Sequence, residues 1–150
     1  MFCVKETLMA LADVMSTKLI TLQMDDDLSK VKQVFDEHSI HHILILDDNE
    51  LAGVITDRDL HKHLSPTVGT SKETSRDTSL LTKKIHLVMS RNLITARKST
   101  TLNEAVLLFH DNHISCLPVV NDEFEPIGVI TWRDIIKILA LQYRQKQKNA

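Results

Sequence analysis

Residues 53–60 read GVITDRDL and residues 128–135 read GVITWRDI, so the chain repeats one of its own segments. Six of the eight positions are identical, although the whole chain has only three glycines. The repetition reaches further back, because Val-Met-Ser occurs at 14–16 and 88–90 and Leu-Ile-Thr occurs at 19–21 and 93–95. The sequence therefore indicates a duplicated structural unit, with one residue inserted near 123–126 of the second copy.

The duplication predicts two repeats, at 11–64 and 85–139, which fold against each other because a unit of that size buries little apolar surface alone. Residues 1–10 are an N-terminal extension, and 140–150 are the end of the last helix and a polar, mildly basic tail. Residues 65–84 are rich in Ser, Thr and charged side chains. We expect that segment to be a mobile or surface linker.

Apolar periodicity predicts the order strand, helix, strand, strand, helix in each repeat. In the first repeat, 19–23 is a short strand, 43–46 and 51–55 form a hairpin, and a helix follows Thr56. In the second repeat, Thr101 and Glu104 predict a capping box at a helix start, and a long helix begins near Trp132. The predicted fold class is α/β (α+β).

Composition excludes several classes of protein. With 150 residues, 43% of them hydrophobic, the chain has the size of one compact domain. A net charge of −2 and a pI near 6.4 give no general attraction for nucleic acid or for an anionic membrane. Residues 1–12 lack a leader pattern, and no stretch reaches the roughly 18 apolar residues of a membrane span. We therefore expect a cytoplasmic protein. We also expect its basic tail to be a solvated helix end.

The reactive side chains indicate neither catalysis nor a metal site. Cys116 lies in an apolar run, so a buried, inert thiol is expected there, and Cys3 lies in the N-terminal extension. His113 and Ser115 stand near Cys116 but form no nucleophile and base with an orienting group. The chief histidines lack zinc-ligand spacing; they are His38, His41, His42, His61 and His63.

The repeated Thr-x-x-Asp, Thr56 with Asp59 and Thr131 with Asp134, has two interpretations. As structure, the threonine is a helix N-cap and the aspartate completes a capping box. As function, a helix start at a strand end can hold a phosphate, the hydroxyl can donate to it, and the carboxylate can accept from both hydroxyls of a ribose. The motif alone leaves both interpretations open.

Taken together, the Val-Met-Ser and Leu-Ile-Thr segments, HSIHHILIL at 38–46, NHISCLPVV at 112–120 and the two GVITxRD ends are specific. The chain resembles a tandem pair of cystathionine-β-synthase (CBS) domains, a Bateman module, over about residues 11–139. Within that family it is most similar to the small stand-alone acetoin-utilisation (AcuB) type. The resemblance implies two pseudo-twofold-related repeats packed through their sheets. It also implies two clefts that bind an adenosine-containing ligand (AMP, ADP, ATP or S-adenosylmethionine), and no required cofactor.

The resemblance gives each cleft a Thr-x-x-Asp end from one repeat and base-facing residues from the other. One cleft would use Thr56, Asp59, Ile94, Thr95, Cys116 and Pro118. The other would use Thr131, Asp134, Ile20, Thr21, His42 and Leu44. In the family's arrangement, the aspartate holds the ribose hydroxyls, the threonine contacts phosphate, and the backbone at Ile20 or Ile94 reads the edge of the base.

The chain departs from the usual family pattern in two places. Leu44 stands where the second repeat has Pro118, and Asp57 stands where it has Trp132, so we expect two non-equivalent clefts. The implied function is a non-catalytic regulatory module acting on an unidentified protein, and a ligand-independent scaffold is the alternative. Because CBS pairs often associate, a homodimer through the apolar helices at 60–64 and 135–143 is also expected.

Overall fold

The computed structural model describes residues 9–150, so Cys3 and most of the N-terminal extension lie outside the described residues. The chain divides into two compact units. The central unit is Ile20–Leu93, and the terminal unit combines the segment that ends at Leu19 with Ile94–Ala150. Each unit has a hydrophobic core of its own.

The central unit has the order of elements that the sequence predicted for the first repeat, followed by one further helix. Its elements are β1 (Thr21–Gln23), α1 (Leu28–Glu37), β2 (His42–Asp47), β3 (Glu50–Thr56), α2 (Asp57–His63) and α3 (Ser75–Leu80). In the sheet, β2 lies between β1, its parallel neighbour, and β3, its antiparallel neighbour. The apolar run in β2 is buried because it forms the middle of this sheet.

The terminal unit is built from a hairpin and two longer helices. Its elements are α4 (Leu102–Asn112), β4 (Cys116–Val120), β5 (Pro126–Thr131) and α5 (Trp132–Lys148). The strands β4 and β5 are antiparallel. The predicted capping box at the start of α4 is confirmed, because Thr101 accepts from the Glu104 amide and Glu104 accepts from the Thr101 amide. Mixed helices and sheets confirm the α/β class.

The first strand predicted in the second repeat is reduced to one parallel bridge, between Ala96 and Val119. The Ala96 amide donates to Pro118 O, and the Val120 amide donates to Ala96 O, each at 2.9 Å. Continuing this parallel pattern toward Ile94 needs an amide hydrogen on residue 118, and proline has none. Leu44 occupies that place in the central unit, so β1 pairs there over three residues.

The segments that lead into the repeats are exchanged between the units. The lead segment of the first repeat, Leu11–Asp13, is a 3₁₀ turn whose Leu11 is fully buried in the terminal core. The lead segment of the second repeat, Ile85–Leu87, is a 3₁₀ turn whose Ile85 is fully buried in the central core. Each lead segment continues through the Val-Met-Ser motif, whose serine forms a backbone bridge to a strand, Ser16 with Val129 and Ser90 with Val54.

The exchange explains why the repeated segment begins with glycine. A Cβ atom built on Gly53 would lie 2.6 Å from Met89 Sδ, and one built on Gly128 would lie 2.8 Å from Met15 Cγ. Each glycine is thus a notch that receives the methionine of the lead segment folded beside it. The Val-Met-Ser and Gly-Val-Ile-Thr motifs are two halves of one packing contact.

Residues 65–84 are more structured than the predicted linker, because they contain α3. Thr74 and Asp77 form a capping box at its start. Asp77 is buried, and its Oδ2 also accepts from Thr67 Oγ1 at 2.7 Å. Hydrogen bonds from Thr67, from the amide and hydroxyl of Thr74, and from Ser65 favour the ionised form, and they lower the pKa of Asp77 to about 2 despite its burial.

Candidate functional site

The first Thr-x-x-Asp end lies where β3 runs into α2. Thr56 Oγ1 accepts from the Asp59 amide at 3.1 Å and donates to Asp59 Oδ2 at 2.8 Å. The Thr56 amide donates to the same carboxylate oxygen at 2.9 Å, which completes a capping box. Both side chains are half-buried. The bonds to the carboxylate all fall on Oδ2, so the cap itself does not use Oδ1.

The second end has the same construction where β5 runs into α5. Thr131 Oγ1 accepts from the Asp134 amide at 3.4 Å and donates to Asp134 Oδ2 at 2.9 Å. The Thr131 amide donates to that oxygen at 2.8 Å. A threonine hydroxyl has one hydrogen, so a threonine that donates to a phosphate has to release its aspartate. The aspartate of the cap and the phosphate of a ligand therefore compete as acceptors for that one hydrogen.

In the central unit, strand register gathers the predicted residues of the first repeat near Thr56. His42 lies opposite Thr56 on the neighbouring strand, and Leu44 lies two residues further along β2. On the other side of β2, Thr21 of β1 pairs with Leu44, and Ile20 directly precedes Thr21. Leu44 is buried, whereas the other side chains are half-buried.

The terminal unit gathers the remaining predicted residues near Thr131. Cys116 lies opposite Thr131, and Pro118 lies two residues further along β4. Ile94 and Thr95 directly precede the bridge at Ala96, which joins β4. The side chains of Cys116 and Pro118 are buried, and those of Ile94 and Thr95 are half-buried.

Each Thr-x-x-Asp end therefore has, within its own unit, the strand residues that the resemblance assigned to the opposite cleft. Thr56 and Asp59 share a unit with His42 and Leu44, and Thr131 and Asp134 share one with the Cys116 strand. The assignment of base-facing residues from the other repeat stays a prediction.

A histidine–carboxylate pair, which the sequence analysis did not single out, adjoins the Thr56 end. His41 Nδ1 lies 2.8 Å from Asp57 Oδ2, and the Asp57 amide donates to His41 O at 3.2 Å. Partial burial raises the pKa of Asp57, but hydrogen bonds from His41 and the Arg58 amide outweigh it and leave the pKa below its ordinary value. Asp57 is therefore ionised at neutral pH. The two residues are 16 apart, and no local pattern signals the contact.

The thiol of Cys116 is unsuited to nucleophilic chemistry. Burial first, and then the negative charge of Asp134, raise its pKa to about 12. A thiol with that pKa is almost entirely protonated near neutral pH, and the thiolate is the reactive form. The expectation of an inert, buried cysteine is confirmed.

An open cleft of about 760 Å³ adjoins the His41–Asp57 pair and is lined by the end of α1, by α2 and by residues 64–68. His38, His41 and His61 all line it, with Asp36 and Asp57. Among residues 9–150, however, no three histidine, cysteine or carboxylate side chains converge on a point where a metal ion could be held.

The candidate dimer surfaces differ between the units. Leu60, expected on such a surface, is instead buried in the central core, because it lies on the inner face of α2. On α5, Trp132, Ile136, Leu139 and Tyr143 are between 45% and 65% exposed. Their spacing of four, three and four residues places them along one face of the helix, which is the seam pattern of a helix that packs against another. We call these four residues the α5 seam.

Comparison with known proteins identifies two matching segments. Residues 11–66 and 83–141 each match the family described as CBS domain. Inosine-5'-monophosphate dehydrogenase of Methanocaldococcus jannaschii is 31% identical over 126 residues, which are 83% of this chain and 22% of that enzyme. The chain thus spans about a fifth of the length of that relative.

Solved structures agree in fold. The CBS domain pair of protein MJ0100, in complex with 5'-methylthioadenosine and S-adenosyl-L-methionine, has a TM-score of 0.74 at 23% identity, covering 91% of this chain and 99% of that one. A protein of Vibrio cholerae assigned to acetoin utilization (AcuB) has a TM-score of 0.76 at 23% identity, covering 96% and 98%. No helix within residues 9–150 is long and apolar enough to cross a membrane.

Proposed function

Because the chain belongs to the CBS-domain family, we propose that it is a non-catalytic regulatory module that binds an adenosine-containing ligand at its Thr-x-x-Asp strand ends. The observation that carries the proposal is the pair of half-buried carboxylates, Asp59 and Asp134, each fixed through Oδ2 beside a strand end. In the proposed complex, Oδ1 of each carboxylate, which the cap does not use, accepts from a ribose hydroxyl. The adenosine compounds bound by the MJ0100 pair support this class of ligand.

Such a module acts by linkage rather than by chemistry. A ligand that binds one arrangement of the protein better than another shifts the population toward it, and a partner protein senses the shift. The regulated protein is a separate molecule or a further part of a longer chain.

The test is thermal unfolding with AMP, ATP, 5'-methylthioadenosine and S-adenosylmethionine, each at about 1 mM. A ligand with a dissociation constant of about 10 μM should add roughly 2.7 kcal/mol, or about 5–10 °C for a chain of this size. Asp59→Asn and Asp134→Asn should each reduce that shift. The matched control is Glu104→Gln, because Glu104 completes a capping box of the same geometry at a helix with no proposed ligand.

A scaffold without a ligand is the second candidate, and one observation favours it: both Thr-x-x-Asp pairs form complete capping boxes, which account for the motif as structure. Under that alternative, Asp59→Asn and Asp134→Asn lower the unfolding temperature about as much as Glu104→Gln does. No adenosine compound then shifts the wild-type transition. Those two results together would contradict the ligand-binding regulatory module and support the scaffold.

We also propose that the protein forms a homodimer through the α5 seam. Large exposed apolar side chains are costly in water, and burying four of them against the same face of a second copy offsets that cost. Replacing Ile136 and Leu139 by glutamate should halve the mass measured by light scattering. Leu87→Gln is the control, because Leu87 is exposed in the central unit. A wild-type monomer would remove this proposal and leave the ligand proposal intact.

A further inference from the structure

The two Thr-x-x-Asp ends differ in charge at one position. The residue after the threonine is Asp57 in the central unit and Trp132 in the terminal unit, while an arginine follows in both, Arg58 and Arg133. Arg58 therefore directly follows a carboxylate residue in the chain. Arg133 lies beside an aromatic ring, with its guanidinium carbon 5.7 Å from the ring centroid of Trp132.

The amides at the start of α2 are engaged by acceptors of the protein itself. The Asp57 amide donates to His41 O at 3.2 Å, and the Arg58 amide donates to Asp57 Oδ1 at 2.8 Å. The Asp59 amide donates to Thr56 Oγ1, whose own hydrogen goes to Asp59 Oδ2. A phosphate at this end would have to displace these acceptors, one of which carries a negative charge of its own.

The Asp57 carboxylate is held in place rather than free to turn away. One oxygen faces His41 Nδ1 at 2.8 Å and the other accepts from the Arg58 amide. Its side chain is 39% exposed, and Asp57 directly follows Thr56 in the chain. The groups that can offset the charge of this carboxylate are Arg58, His41 and His42.

We propose that Asp57 determines the charge of the ligand accepted at the Thr56 end, which takes adenosine compounds with a neutral or cationic 5' substituent in preference to a 5'-phosphate. A thioether or a sulfonium group belongs to the accepted class, and mono-, di- and triphosphates belong to the disfavoured class. The Thr131 end, with Trp132 in place of the carboxylate, discriminates less against phosphate. This inference rests on the proposed function and deepens it.

The test is calorimetric titration at pH 8 of the Asp134→Asn protein, in which the Thr56 end is the unaltered one. 5'-Methylthioadenosine should bind at least fivefold more tightly than AMP. Adding Asp57→Asn should strengthen AMP binding about fivefold to tenfold, the size of one charge repulsion near a protein surface at an effective dielectric of roughly 40. The same change should alter the affinity for 5'-methylthioadenosine less than about twofold.

The control is Asp25→Asn, because Asp25 is 83% exposed and follows β1 at the opposite end of the central sheet. It should leave both affinities unchanged. If the Asp57→Asn variant fails to fold, the salt dependence of binding to the Asp134→Asn protein, which keeps Asp57, is the test instead. The preference of that protein for 5'-methylthioadenosine over AMP should shrink as salt rises from about 50 to 500 mM, since screening weakens charge repulsion.

Two results overturn the inference by itself: AMP binding the Thr56 end as tightly as 5'-methylthioadenosine, or an AMP affinity that neither Asp57→Asn nor salt alters. If neither compound binds the wild-type protein, the proposed function fails and this inference fails with it. The two failures are therefore distinguishable.

Discussion

Replacing Gly128 by alanine tests whether the glycine of the repeated segment exists to receive a methionine. The added Cβ would lie 2.8 Å from Met15 Cγ and 3.0 Å from Met15 Cε. Neither distance is available to real carbon atoms without movement. Overpacking of this kind costs about 1–3 kcal/mol, and a chain of this length should lose roughly 2–4 °C per kcal/mol in its unfolding temperature.

The partner change separates this cause from a general intolerance of alanine. Neither Gly53 nor Gly128 has a positive φ, so alanine fits the backbone at both positions. With Met15→Ala already in place, the three atoms nearest to the Cβ added at Gly128, all of them in the Met15 side chain, are gone. Gly128→Ala should then cost clearly less than it does in the wild-type protein, and the smaller backbone entropy that alanine loses on folding acts in the same direction.

The central unit supplies the contrast. A Cβ atom on Gly53 would lie 2.9 Å from the backbone oxygen of Ser90 as well as close to Met89. That oxygen is fixed, because it accepts from the Val54 amide at 3.1 Å. Removing the Met89 side chain leaves this clash, so Gly53→Ala should still cost about 1 kcal/mol or more on a Met89→Ala background.

The assay is a double-mutant cycle for each pair, followed by urea unfolding with circular dichroism as the signal. The Gly128–Met15 cycle should show the larger coupling. A Gly128→Ala protein as stable as the wild type, or equal costs of Gly128→Ala with and without Met15, would refute the notch as the reason for the glycine.

Three further predictions concern capping, pH and thiol reactivity. Thr101→Ala should cost about 0.5–2 kcal/mol through loss of the α4 cap while leaving every ligand affinity unchanged, as measured by urea unfolding and titration. Because the pKa of Asp77 falls from 3.8 to about 2 on folding, its contribution is present above pH 4 and lost as pH falls toward 2. Asp77→Asn should therefore flatten the fall in unfolding temperature between about pH 5 and pH 2, and an unchanged slope there would contradict the assignment. Cys116 should resist iodoacetamide at pH 8 in the native protein and react in urea, as peptide mass mapping will show, because its pKa is about 12.

Local patterns in the sequence were sufficient for most of the elements. The Thr101–Glu104 capping box was predicted from spacing alone, because its partners are three residues apart. The start of α5 at Trp132 was likewise predicted from the end of an apolar strand. The helix α3 was missed although Thr74 and Asp77 carry the same signal, because the polar composition around them favoured a linker.

Features that depend on contacts between distant residues were beyond the sequence. Nothing local shows that Met15 packs on Gly128, since more than a hundred residues separate them. The shortening of the strand at Ala96 could not be predicted, because the effect of the amide hydrogen that Pro118 lacks depends on the parallel register of the two strands. For the site, the positions of Thr56 and Asp59 were predictable as a cap, whereas the fixing of Asp57 by His41 depends on how β2 approaches α2.

The exchanged lead segments bear on how such a protein can be divided. A fragment holding residues 11–64 alone would retain Gly53 and lack Met89, the side chain that fills its notch. It would also carry Leu11 and Met15 with no matching core of its own to enter. The side chain that could best replace the absent Met89 would be Met15 of a second identical fragment. Two half-molecules should therefore assemble as a reciprocal pair, in which the leading residues of each insert into the core of the other. Duplication within one chain makes the same exchange intramolecular.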